Sequence, residues 1–365
     1  MVSTRALRVL IWQKEWFPMA LDPRKAQILR LIVEVYIESG EPVGSKALAE
    51  MLGNCVSSAT IRNDMAALTA DGYLEQPHTS AGRLPTSRAL RLYVNELMAR
   101  RQLPLQEKVL IGDTLSALSG DATRLLEDAT RALADITGLA AFATRPEQIG
   151  NRISRLDVIQ MSPRNMAVLL VQDNGFLRTR MCRCRRDIPS RVTVALAEYM
   201  SRRFLSKPLE AVTVTAMQEI LLELGNGGMA VTPILSAFYE LAQECADAKV
   251  ALSGQMNLLR NPDYPPEQAR MLLAFLNERQ PLWDLVGTLP DGVQVLLGDD
   301  SLPALHGSAV ITSRYSLGER GDGIIGIIGP ARMDYATAIP RVEYFAAAVG
   351  RILDELLDTG SALDI

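Results

Sequence analysis

The chain has 365 residues, of which 48% are hydrophobic and 22% charged, with a formal net charge of −4. That length allows two or three domains with cores of their own. Its longest apolar runs, such as residues 140–143 and 324–328, are far too short to cross a bilayer, so the expectation is a cytoplasmic protein with no membrane partner. Four cysteines and two histidines leave little for metal chemistry, because Cys182 and Cys184 lack the spacing of a zinc knuckle and no second pair answers them; no metal or cofactor is expected.

Residues 1–21 read as a disordered leader, or as an upstream start with Met19 near the true beginning. Arg5 and Arg8 precede an apolar patch, but Lys14 and Glu15 interrupt it and no small-residue cleavage site follows, unlike a secretory signal. Asp22 and Pro23 then open a first helix as N-cap and first-turn residue. Ile28, Leu31, Ile32, Val35 and Tyr36 form its apolar face, and Gly40 ends it. Ser45 should cap a short second helix with Leu48, Met51 and Leu52 inward, and Gly53-Asn54 makes the turn. Ser57 or Ser58 caps a third helix reaching Asp71-Gly72, with Ile61, Met65 and Leu68 inward. Its opposite side offers Ser58, Thr60, Arg62 and Asn63. Arg can bridge guanine, Asn can bridge adenine, and the helix N-terminus suits a phosphate.

Residues 73–76 and 83–85 read as two strands around the polar tip His78-Thr79-Ser80-Ala81-Gly82. Alone this is a solvated hairpin turn; directly behind a helix-turn-helix, DNA contact through His78, Thr79, Ser80 and Arg83 is the favoured reading. Thr86 or Ser87 caps a fourth helix running to Arg101, with Leu90, Tyr93, Val94 and Leu97 inward. The order describes a winged helix-turn-helix over residues 22–103, whose second helix of the motif enters the major groove.

Here the chain resembles a known family. The segment GEPVGSKALAEMLGNCVSSATIRNDMAALTADGYLEQPHTSAGRLPT is similar to the N-terminal signature of the HrcA family, the bacterial heat-inducible transcription repressors. SAVITSRYSLGERGDGIIGIIGPARMDYATAIPRVEY resembles that family's closing segment, so the similarity brackets residues 22–356. Ser87-Arg88-Ala89-Leu90 departs from the family pattern. The resemblance implies a homodimer that binds an inverted-repeat operator on double-stranded DNA ahead of chaperone operons, and a repressor whose activity the chaperonin GroEL modulates. It also implies an α+β multidomain chain: the winged helix, a GAF-like α/β domain, and a dimerisation module of antiparallel sheet plus helices inserted into that domain.

The remaining elements fit that division. Past Pro104 a single helix is expected to about residue 137, then a strand over 139–144. Runs at 153–161, 166–172 and 176–184, with turn signals between them, make an antiparallel meander. Helices at 189–206, 213–224 and 232–248 follow, then a strand at 251–259, helices at 267–277 and 281–288, strands at 293–298, 308–317 and 323–329, and a last helix at 334–358. The GAF-like domain is accordingly expected at 104–150 and 249–365, and the inserted dimerising domain at 151–248.

Charge is strongly segregated. Residues 22–75 carry five basic and eight acidic side chains, residues 76–103 five arginines and Glu96. Residues 145–207 hold thirteen basic against five acidic, and residues 208–365 nine against twenty-one. The basic excess inside the insertion marks either a solvated face, the favoured reading, or a surface for phosphates or an acidic partner.

Enzyme signals fail on context. Gly321-Asp-Gly323-Ile-Ile-Gly326 matches G-x-G-x-x-G, but the isoleucines carry a strand through the glycines instead of opening a helix. Asp299-Asp300 sits where turn acids are common, and His306 beside Gly307 reads as a loop residue. With His78 and His306 as the only histidines, no catalytic triad can be nominated, so no enzyme is expected. The alternative is a ligand-sensing winged-helix regulator whose GAF-like domain binds a small metabolite.

Overall fold

The computed structural model describes residues 21–77, 82–117, 122–145, 152–173, 177–225, 228–247, 250–278, 280–298, 302–318 and 321–361. The expected leader and the wing tip with His78, Thr79 and Ser80 lie outside them, as do Asp299 and Asp300.

The N-terminal module consists of α1 (Pro23–Ser39), α2 (Ser45–Met51), α3 (Ser58–Ala70), the wing strands β1 (Leu74–Glu75) and β2 (Leu84–Pro85), and α4 (Ser87–Leu92). Ile28, Leu29, Ile32 and Val33 of α1 meet Leu48 of α2 and Ile61, Met65 and Leu68 of α3 in one core. Asp22 caps α1 by accepting from the Arg24 amide at 2.9 Å. Three local expectations need correction. Gly44, not Ser45, occupies the N-cap of α2, with no side-chain hydrogen bond. Met51, at the last position of a seven-residue helix, points to solvent at 58% exposure. The fourth helix does not reach Arg101: it widens into a π-helical turn, Tyr93–Leu97, and stops where Met98 becomes extended.

Residues 104–137 form two helices, not one: α5 (Leu105–Ala117) and α6 (Ala122–Thr137). Leu115, Leu125, Leu126 and Leu133 are buried, while Val109 and Leu110 are exposed. The main sheet holds five antiparallel strands in the order β7-β3-β10-β9-β8, from β3 (Ala140–Thr144), β7 (Val250–Ser253), β8 (Gln294–Leu297), β9 (Ser308–Ser316) and β10 (Asp322–Pro330). Side chains alternate along each strand. Ala141, Ala143, Ile311, Ile325 and Ile327 face the core shared with α6 and the terminal helix α13 (Tyr335–Ser361). Ala140, Phe142, Val310, Ile324 and Ile328 face the opposite layer. That layer is built from α10 (Gln255–Arg260), α11 (Pro266–Glu278) and α12 (Gln280–Gly287). The strand expected over 251–259 therefore ends at Ser253; Gly254, at φ 72°, turns the chain into α10. The glycine motif lies along β10 as the sequence suggested. A Cβ on Gly326 would stand 2.5 Å from the Ile311 carbonyl oxygen, so its glycine is explained by close packing within the sheet.

Thr144 of β3 pairs directly with Val250 of β7, so the chain leaves the sheet and returns to it at adjacent points. Between them lies the meander β4 (Ile153–Gln160), β5 (Asn165–Gln172) and β6 (Leu177–Arg183), in that order. Helices α7 (Ser190–Phe204), α8 (Val214–Glu223) and α9 (Gly228–Asp247) complete this unit. It has its own core, in which Phe204 and Phe238 meet at 5.2 Å among Ile153, Met166, Val168, Met200 and Ile234. Part of its basic charge is matched inside the unit by helices beyond residue 207. Arg180 pairs with Glu240 and Glu244, and Arg203 with Glu219 and Glu223. Arg164 pairs with Asp187, and Arg178 reaches toward Glu127. The architecture is thus a winged helix followed by a mixed α/β portion. Among the described residues no helix is long and apolar enough to cross a membrane.

Candidate nucleic-acid interface

The turn between α2 and α3 is set by two consecutive left-handed residues, Gly53 at φ 62° and Asn54 at φ 56°. Gly53 and Asn54 donate back to the carbonyls of Glu50 and Ala49 at 2.9 and 2.8 Å, which ends α2 and reverses the chain. Ser57 then caps α3: its Oγ accepts from the Thr60 amide at 3.2 Å and lies 2.9 Å from Thr60 Oγ1. One orphan donor of the helix N-terminus is satisfied this way, and Ser57 remains exposed beside the others.

Helical spacing sorts α3 into two faces. Ile61, Asp64, Met65 and Leu68 are buried; Ala59, Arg62, Asn63, Ala66 and Ala70 are exposed. Arg62 and Asn63 thus stand side by side between alanines, whose short side chains let the helix backbone approach another surface closely. The alanines were not singled out from the sequence, although their i, i+7 and i+11 spacing contained the signal. The acid beside them is turned away: Asp64 accepts from Arg24 Nε at 2.9 Å and from Arg24 Nη2 at 3.1 Å. This fork fixes the start of α1 to the middle of α3. The Asp64 carboxylate also holds the Arg24 guanidinium above its ordinary pKa, first by hydrogen bonding and then by charge.

The wing is rooted by backbone pairing. Val43 and Arg83 exchange two hydrogen bonds of 2.9 Å, joining the entry of α2 to the foot of β2. A Cβ on Gly82 would lie 2.5 Å from the Val43 carbonyl oxygen and 2.6 Å from its carbon, so only glycine lets the strands come so close here. Arg83, expected as a wing contact, sits half-buried at this root with Nε donating to Thr69 Oγ1 of α3 at 3.2 Å. It therefore ties the wing to α3. Thr86 joins the other end, accepting from the Ala89 amide while its hydroxyl reaches the Gly72 and Tyr73 carbonyls. The Arg88 guanidinium lies 4.6 Å over the Tyr73 ring.

Of the expected site residues, Ser57, Ser58, Thr60, Arg62 and Asn63 are gathered along the first two turns of α3, exposed or half-buried. The module is also fastened to the rest of the chain: Arg332, just after β10, donates from Nη1 to the Ile37 carbonyl near the end of α1 at 3.1 Å and from Nε to Asp263 at 2.8 Å. Among the described residues no group of three or more His, Cys, Asp or Glu side chains could hold a metal ion.

Comparison with known proteins agrees with this geometry. Residues 20–98 match the family model described as winged helix-turn-helix transcription repressor, HrcA DNA-binding, and residues 123–339 match HrcA protein C terminal domain. The heat-inducible transcription repressor HrcA of Desulforudis audaxviator is 34% identical over 347 residues, covering 93% of this chain and 99% of that protein. That of Pelotomaculum thermopropionicum is 33% identical over 351 residues, again covering 93% and 99%. The crystal structure of a hypothetical protein, 22% identical, superposes with a TM-score of 0.67 over 92% of this chain and 100% of its own, a likeness of fold.

Proposed function

The chain belongs to the HrcA family of heat-inducible transcription repressors, the negative regulators of heat-shock genes, and from that membership we propose how it acts. Two copies form a homodimer, and each lays one α3 into the major groove of an inverted-repeat operator on double-stranded DNA. The observation that carries this reading is the exposed α3 face, with Arg62 and Asn63 between alanines and its one acid, Asp64, locked inward on Arg24. Arg62 reads guanine and Asn63 adenine; Ser57, Ser58 and Thr60 serve a phosphate or base at the helix end. His78, Thr79 and Ser80 contact the backbone from the wing, with Arg83 at its root. Bound across the operator, the dimer excludes polymerase.

We divide the chain as 22–103 for DNA binding, 104–150 with 249–365 as a GAF-like domain, and 151–248 as the inserted dimerising domain. The adjacency of Thr144 and Val250 and the separate core around Phe204 and Phe238 support that division. Chaperonin restores repressor that heating has displaced from its active fold. A gel shift of the full chain on an inverted-repeat operator, over a salt series, tests the reading. Binding should weaken steeply with salt and fall when one half-site is scrambled; salt-independent retention, or indifference to the second half-site, contradicts it. Operator occupancy followed through heating and recovery, with and without chaperonin, tests the last step, and identical recovery contradicts it.

A further inference from the structure

At the seam where the insertion meets the main sheet, a cavity of about 210 Å³ opens to solvent. It is smaller than the ~300–1,000 Å³ of drug-sized sites, which restricts it to small ligands. Its chemistry is cationic: among the described residues, Arg131, Arg145 and Arg178 line it with one acid, Glu127. Arg131 is held by Asp128 at 2.7 Å, and Arg145 and Arg178 are the other two cations of the lining. The Glu127 carboxylate is itself half-exposed, and its approach to Arg178 Nη2 is loose, at 3.6 Å.

The two arginines come from different units. Arg145 follows β3 at the exit from the main sheet, and Arg178 lies on β6 of the insertion. Among the described residues Arg178 Nε is buried with no hydrogen-bond acceptor, and Arg145 Nη1 is buried as well. Burial, and then the charge of Arg178, lower the Arg145 pKa to about 10, as expected of two cations pressed together. Cys245 nearby does not balance them: burial raises its pKa and keeps it a neutral thiol. The far wall is Val250–Ser253 of β7, an edge strand of the sheet, whose outer side presents peptide groups. Buried donors without acceptors are expensive, and guanidinium forks match planar or tetrahedral oxyanions.

We propose that this seam is a binding site for a small oxyanion, phosphate-like or carboxylate-like, held between Arg145 and Arg178. The anion supplies the acceptor that the Arg178 Nε lacks and relieves the repulsion between the two guanidinium groups. It thereby clamps the insertion to the sheet. The site lies outside the DNA-contacting module, so it stands or falls independently of operator binding.

The test uses the full chain at constant ionic strength, titrated with inorganic phosphate or with succinate in place of chloride. Thermal unfolding and titration calorimetry are both followed. The expected result is a saturable rise in midpoint with a matching binding heat for at least one of the two anions. Arg178→Gln should abolish both signals. Glu127→Gln, which removes the competing exposed carboxylate, should tighten binding several-fold. Should Arg178→Gln fail to fold, the Glu127→Gln comparison decides alone, since a general salt effect on stability would not respond to that change. Absence of saturable heat with either anion, or equal affinity in wild type and Glu127→Gln, overturns the proposal.

Discussion

Arg332→Ala removes the side chain that fastens the DNA-binding module to the mixed α/β portion. In the intact protein this guanidinium donates to the Ile37 carbonyl at 3.1 Å and to Asp263 at 2.8 Å, with side-chain exposures of 24% for Arg332 and 20% for Asp263. Hydrogen bonds to charged groups contribute ~1.5–3 kcal/mol net, and the partial exposure of both partners places the loss near ~2 kcal/mol. At ~2.1 cal/mol/K of unfolding entropy per residue, a chain of 365 residues melting as one unit would shift by ~3 °C. If the roughly 80 residues of the N-terminal module melt separately, the same loss lowers their own transition by ~10 °C. Calorimetry of wild type and variant reads the difference, and a fall of at least ~3 °C is expected. Arg332→Lys should recover only part, because an ammonium cannot make the same fork. Asp263→Ala should lose less than Arg332→Ala, because the bond to Ile37 survives. A variant melting within about 1 °C of wild type would refute the latch.

Gly82→Ala should part the Val43–Arg83 bridge, losing two backbone hydrogen bonds worth ~1 kcal/mol each and weakening operator binding; unaltered urea unfolding and gel shift would contradict the steric account. Ser57→Ala should destabilise by ~1 kcal/mol through loss of the α3 cap, with Ser57→Asp retaining it, as urea unfolding would show. Phe238→Ala, from a fully buried ring, should destabilise the inserted unit by ~3–5 kcal/mol and reduce dimer in sedimentation, and an unchanged dimer would separate that core from self-association. Burial pushes the Cys182 thiol up to about 11 and raises Cys184 and Cys245. Thiolate is the reactive form, so native alkylation near pH 7 should be confined to exposed Cys55, and labelling at Cys182 should accelerate as pH rises toward 11. Fast labelling of Cys245 in native protein would contradict this.

The helix-turn-helix was legible because cap, period and turn agree along residues 22–71: Asp22, the apolar spacing of α1, Gly53-Asn54 and Ser57 each act where the sequence suggested. Errors fall where local patterns are ambiguous. Met51 has a core residue's chemistry, but it ends a helix too short to turn it inward. Residues 105–137 share one apolar rhythm, which does not mark where Leu105–Ala117 gives way to Ala122–Thr137. The run 251–259 mixes apolar residues with Ser253, Gln255 and Asn257, and periodicity alone cannot tell strand from helix in so short a stretch; Gly254 decides it. Arg83 is a partial reading rather than an error: its place at the wing was legible, whereas its bond to Thr69, fourteen residues away, is a pairing only the fold creates. In the basic stretch of residues 145–207, Arg180 and Arg203 find their glutamates, at 219, 223, 240 and 244, only later in the chain.

Base reading by α3 is tested most directly by Arg62→Ala, with affinity measured by fluorescence anisotropy on the inverted-repeat operator and on random duplex at one salt concentration. Arg62 lies exposed on a helix whose core residues face the other way, so the substitution leaves the fold intact. A loss of ~1–3 kcal/mol on the operator, with little change on random DNA, is the predicted result. Equal loss on both sequences would make Arg62 a phosphate contact, and no loss on either would remove α3 from the operator.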